Sequence, residues 1–111
     1  MTEPLPLLLL RGTELRYVLT RILQLSGPLT VAELVAALNA WGFTVAGRPS
    51  KTVSDALRWE MGHERVRRRS RGRYHYICPP RSTEYRIIAR VVALQEKVLS
   101  LRGGHRSLFI D

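Results

Sequence analysis

The sequence holds one cysteine, Cys78, which excludes an intramolecular disulfide and any zinc site built from clustered cysteines. Such sparing use fits a reducing compartment, and a cytoplasmic protein is expected. The three histidines, His63, His75 and His105, stand without ligand spacing, so no metal is expected. No phosphate-binding loop, nucleophile–base pair or paired carboxylates can be found, so neither an enzyme nor a cofactor is expected and no small-molecule substrate is evident. Long hydrophobic runs are also missing. The apolar stretch Leu5 to Leu10 has no basic residue ahead of it and contains Pro6. It falls far short of the ~18–20 apolar residues of a membrane span. It reads as an extended segment packing on the domain. Acidic residues are scarce, nine against eighteen basic ones, and only two of the basic residues are lysine.

What is present is enough apolar residue in 111 positions for one domain with a single core. The net charge of +9 is distributed unevenly. Residues 1–47 carry Arg11, Arg16 and Arg21 against Glu3, Glu14 and Glu33, and balance. Residues 48–90 carry twelve Lys or Arg against Asp55, Glu60, Glu64 and Glu84, for +8. A charge so concentrated points to a polyanion, either nucleic acid or an anionic membrane surface. A membrane surface is the weaker reading, because no basic amphipathic helix has an apolar face free to insert.

Leu15, Val18, Leu19, Ile22 and Leu25 recur at helical spacing, which predicts an amphipathic helix over 13–25 with Arg16, Thr20, Arg21 and Gln24 outward. Ser26-Gly27-Pro28 ends it, and Leu29 suits a very short strand. Thr30-Val31-Ala32-Glu33 is a capping box opening a second, almost wholly buried helix through Trp41, with Gly42 as its stop. A linker from Phe43 to Arg48 leads to Pro49, which is well tolerated at the first position of a third helix running to about Met61. Val53, Ala56, Leu57 and Met61 form its apolar face, with Ser50, Lys51, Ser54, Asp55 and Arg58 opposite and Trp59 at the border.

Six of the nine residues from Arg65 to Arg73 are arginine, and the run continues Tyr74-His75-Tyr76. A solvated basic tail would not need that ending. A three-residue loop 70–72 with Gly72 left-handed predicts a hairpin pairing Arg69 with Arg73, Arg67 with His75 and Val66 with Tyr76. Period two then puts Val66, Tyr74 and Tyr76 on the core face, with Arg68 near the tip. Arg65, Arg67, Arg69, Arg73 and His75 take the other face. Opposing Arg69 and Arg73 disfavours the hairpin by a few tenths to ~1 kcal/mol, a cost that suggests a role other than stability.

After Cys78-Pro79-Pro80, Ser82 is placed to cap a long helix over 81–102. Ile87, Val91, Leu94, Val98 and Leu101 form a heptad seam, and Ile88, Val92 and Leu99 a second stripe beside it. The seam suits intramolecular core or a homodimer interface, and the two-stripe width favours the dimer. The expected organisation is an extended segment (1–12), a helical domain with a small β-hairpin (13–80), the long helix (81–102) and a tail (103–111). The tail contains the apolar run Ser107-Leu108-Phe109-Ile110.

The segment from about Leu19 to Ile77 resembles a winged helix-turn-helix, and more narrowly the HARE-type winged helices. The likeness rests on Gly27-Pro28-Leu29-Thr30 before the second helix, Arg48-Pro49 opening the third, Thr52-Val53 and Leu57 within it, and Val66…Gly72…Tyr74 in the hairpin. It implies a double-stranded-DNA-binding module, a transcriptional regulator or a chromosome-associated (nucleoid) protein. The third helix would enter the major groove, and the hairpin would track phosphates or the minor groove. Arg48, Ser50, Lys51, Ser54 and Arg58 would be the helix contacts. Arg67, Arg68, Arg69, Arg71 and Arg73 would be the hairpin contacts, with Arg71 at the tip suited to a narrow minor groove. The alternative is a protein–protein adaptor or RNA-binding module using the same basic face. Trp41, Trp59, Tyr74 and Tyr76 are read as core.

Overall fold

In a computed structural model of the chain, residues 5–69 and 72–103 are described. They form four helices and two small sheets. Strand β1 (Leu8–Leu10) precedes helix α1 (Gly12–Ser26), which is followed by β2 (Leu29–Thr30) and α2 (Val31–Ala40). Then come β3 (Phe43–Val45), α3 (Pro49–Gly62), β4 (Val66–Arg68), β5 (Arg73–Tyr76) and α4 (Arg81–Leu101). No helix among the described residues is long and apolar enough to cross a membrane.

Helix α1 is the spine. Its Leu15, Val18, Leu19, Ile22 and Leu23 are buried, and α2, α3, β5 and α4 all pack on it. The capping box of α2 forms as expected: the Glu33 amide donates to Thr30 Oγ1 at 3.2 Å, and the Thr30 amide donates to Glu33 Oε1 at 2.9 Å. The burial of α2 is narrower than its apolar composition predicts. Only Leu34 and Leu38 are fully buried, because the helix lies on the core along a single line and Ala32, Ala36 and Ala40 face solvent.

Residues 5–10 do more than pack on the domain. Leu8, Leu9 and Leu10 pair in parallel with Phe43, Thr44 and Val45, so part of the expected 43–48 linker is a strand. Phe43 is fully buried there. Between α2 and β3 the chain turns at Gly42 (φ +96°), where an added Cβ would stand 2.6 Å from Val98 Cγ1. A Gly42→Ala chain is therefore expected to lose about 1–3 kcal/mol in urea unfolding, through positive φ and displacement of α4.

The second sheet is antiparallel with order β2-β5-β4. Its hairpin has the expected register, Val66 opposite Tyr76, Arg67 opposite His75 and Arg68 opposite Tyr74. The Arg69 amide donates to the Arg73 carbonyl, and Gly72 is left-handed at φ +71°. The loop residues Ser70 and Arg71 lie outside the described residues, as do 107–110 of the tail. Strand β2 closes the other edge of β5, with Leu29 opposite Tyr74 and Thr30 opposite Arg73.

Helix α4 begins at Arg81 after Pro80, and no side chain caps it, so the expected Ser82 cap does not form. At 21 residues it is roughly 31 Å long and crosses the molecule along α1. Arg90 pairs with Glu14 at 3.0 Å, and Arg86 Nε donates to Tyr17 Oη at 3.2 Å. Glu84, in its first turn, accepts from Gln24 at 2.5 Å and from Tyr76 Oη at 2.9 Å, tying α1 and the hairpin to α4.

The seam of α4 is core. Ile87, Val91, Leu94 and Val98 are buried by the chain's own residues, while Leu101 is half exposed. Those four residues therefore belong to the chain's own core, and a side chain already excluded from water gains nothing from a second copy; the half-exposed Leu101 does not share that burial. The stripe left outward is Val92 and Leu99 with Tyr85, and Ile88 half-buried beside them.

Burial and the bond to Glu84 raise the Tyr76 phenol well above its ordinary value of 10.0. A raised folded-state value means that this bond's stabilisation is complete below pH ~10 and is lost as the pH rises beyond it. A Tyr76→Phe chain is expected to lose about 1 kcal/mol at neutral pH and to show a flatter alkaline decline in thermal unfolding.

Candidate nucleic-acid interface

Helix α3 owes its position to Pro49 at its first turn and to Val53, Ala56 and Leu57 buried beneath it. Arg48 precedes it in extended conformation, and Thr52 Oγ1 donates to the Ala46 carbonyl at 2.8 Å, fixing the approach. With that face buried, Ser50, Lys51, Asp55 and Arg58 point outward and Ser54 is half-buried. Arg48, Ser50, Lys51 and Ser54 together line an open concavity of about 420 Å³ at the helix N-terminus. This end carries the positive pole of the helix dipole, and its amides and two hydroxyls suit an anionic oxygen.

Asp55 sits between the two long cations. Lys51 Nζ donates to Asp55 Oδ2 at 2.9 Å, and Arg58 Nη1 donates to Oδ1 at 3.0 Å. The lysine hydrogen bond, followed by that from Arg58, holds the Asp55 carboxyl below its ordinary range, so it stays ionised. All three side chains are well exposed, so solvent and salt screen the pairs and they add little to the helix's stability.

The hairpin supplies the second basic group. Arg67, Arg68, Arg69 and Arg73 are exposed while Val66 and Tyr74 are buried, as alternation predicts for all but Arg68. Arg68 lies opposite Tyr74 with its guanidinium 6.0 Å from that ring's centroid, at the limit of a cation–π contact. Arg73 meets Glu33 at 3.4 Å in an exposed, weak pair. Arg67 and Arg69 have no acidic partner among the described residues. Arg71, expected at the tip, lies outside them.

Arg65 does not belong to that outer face. Its Nε donates to Glu60 Oε1 at 2.7 Å and its Nη2 to Oε2 at 3.0 Å, a bidentate pair with a fully buried carboxylate. The pair raises the Arg65 pKa further. Thr20 Oγ1 lies 3.3 Å from Glu60 Oε1, and Arg16 Nε lies 3.6 Å from Oε2, so Thr20 and Arg16 turn inward, contrary to expectation.

Trp59 covers this cluster from outside. Its ring stacks on His63 at 3.6 Å and lies 3.8 Å from the Arg16 guanidinium, and it is 41% exposed instead of being core. Glu60 therefore joins α1, α3 and the first residue of the hairpin arm. A sequence signal for it existed: Glu60 falls on the same helical stripe as Val53 and Leu57, where a charge demands a partner.

The structure thus groups the expected residues in two sets, one on α3 and one on the hairpin. The Glu60–Arg65 pair fixes the arm leading from the first to the second. No hydrogen bond or ion pair joins the two sets directly among the described residues. Comparison with family models, with curated proteins and with solved structures returns no match to this chain.

Proposed function

We propose that the chain binds double-stranded DNA as a winged helix-turn-helix module, with α3 as the groove-reading helix and β4–β5 as the wing. The supporting observation is the outward arginine face of the hairpin, where Arg67 and Arg69 have no acidic partner among the described residues and Arg73 has only an exposed, weak pair with Glu33. Arg67 and Arg69 are held outward by a register that buries Val66 and Tyr74, and Arg69 faces Arg73 across the strands. Like charges left opposite one another oppose folding, and a polyanion relieves them. In this reading Arg48, Ser50, Lys51, Ser54 and Arg58 face bases and phosphates, while Arg67, Arg68, Arg69, Arg71 and Arg73 follow the backbone or a narrow minor groove.

A mobility-shift comparison of duplex DNA, single-stranded DNA and RNA of equal length, at two salt concentrations, tests the proposal. The expected result is tightest binding to the duplex with a steep loss on adding salt. Preference for RNA would transfer the same face to RNA binding. Failure to bind any of the three would favour an acidic protein partner.

A further inference from the structure

Among the exposed side chains of α3, Asp55 is the only acid. For a surface that only attracts phosphate it is a defect: it cancels one positive charge, and its two oxygens occupy Lys51 and Arg58. We infer that Asp55 is a specificity-determining residue that orients Lys51 and Arg58 towards base edges and itself accepts from the exocyclic amine of a cytosine. This inference rests on the DNA-binding reading above.

The chemistry of the groove selects the base. Guanine and thymine offer acceptors there, which repel a carboxylate. Adenine places its N7 acceptor beside its amine, whereas the N4 amine of cytosine has no such neighbour. Asp55 holds Arg58 by Nη1 alone, so the rest of the guanidinium fork remains to donate to guanine O6 and N7. Phosphate repels the carboxylate on every sequence, and only a cytosine returns that loss. Asp55 therefore lowers affinity for all duplexes and restores it on few, which is how repulsion generates selectivity. The side chain is half exposed and packs on nothing in the core, so its replacement leaves the fold intact.

The test is selection of bound duplexes from a randomised pool by the parent, Asp55→Asn and Asp55→Ala. Titration of a non-enriched duplex at several salt concentrations accompanies it. The parent is expected to enrich a C·G pair at one position. Asp55→Ala should lose that enrichment, on the order of tenfold, and Asp55→Asn should shift it towards adenine. Both variants should bind the non-enriched duplex severalfold more tightly, with a salt slope larger by about 1. Variants that keep the parent's enriched sequence and its non-specific affinity would overturn the inference. So would a parent that binds duplex yet enriches no position. A parent that binds no duplex at any salt concentration overturns the DNA-binding reading itself.

Discussion

An Arg67→Ala/Arg69→Ala/Arg73→Ala chain is expected to bind duplex DNA on the order of 100-fold more weakly than the parent at low salt, with a salt slope smaller by about 3. The three side chains are exposed and the backbone register is set by Val66, Tyr74 and Gly72, so the hairpin itself should survive. Removing the Arg69–Arg73 repulsion should favour the hairpin by a few tenths to ~1 kcal/mol, set against loss of the exposed, weak Arg73–Glu33 pair. The signs are opposite: a structural role for these arginines predicts lower stability, and a binding role predicts unchanged or higher stability with lost affinity. Fluorescence anisotropy across a salt series, paired with thermal unfolding of the same chains, separates the two.

Replacing Glu60 by alanine should be among the most damaging single changes. It leaves the Arg65 guanidinium, with 14% of its side chain exposed, and the neighbouring Arg16 without their carboxylate. Removing one partner of a buried pair costs about 3–5 kcal/mol, a large part of the 5–15 kcal/mol that holds a small domain together. The loss comes chiefly from the stranded charge, so Glu60→Met with Arg65→Met should recover most of it. Urea unfolding of Glu60→Met, Arg65→Met and the double variant, beside Glu60→Ala, checks this by a double-mutant cycle. A double variant as unstable as Glu60→Ala would show that the packing beneath Trp59, not the charge pair, holds this corner together.

The elements most legible in the sequence are those with local chemical signatures. Thr30 and Glu33 stand at the spacing of a capping box, and Pro49 marks the start of α3. Gly72 sets the hairpin register, which the observed pairing of Val66 with Tyr76 bears out. The features that escape are non-local. The β1–β3 pair joins three residues on each side across more than thirty positions, and nothing near Leu8 or Phe43 signals the other strand. Trp59, expected as core, and Glu60, given no place in the helix's faces by the sequence reading, escape for a related reason. Residue type alone places an acid outside and a tryptophan inside, whereas Arg65 and Arg16 reverse both by neutralising one and covering the other. The α4 seam was legible as apolar, but periodicity says only that a face is buried, not against which chain.

On the proposed function, α3 and the hairpin form one DNA-contacting surface, held together through Glu60 and Arg65. Amide chemical-shift mapping of the isotopically labelled chain during titration with duplex DNA tests it most directly. Shifts are expected at Arg48–Arg58 along α3 and at Arg67, Arg69 and Arg73 on the hairpin, saturating together, with the outward stripe at Tyr85, Val92 and Leu99 unmoved. Shifts confined to α4, or a hairpin that stays silent while α3 responds, would contradict it.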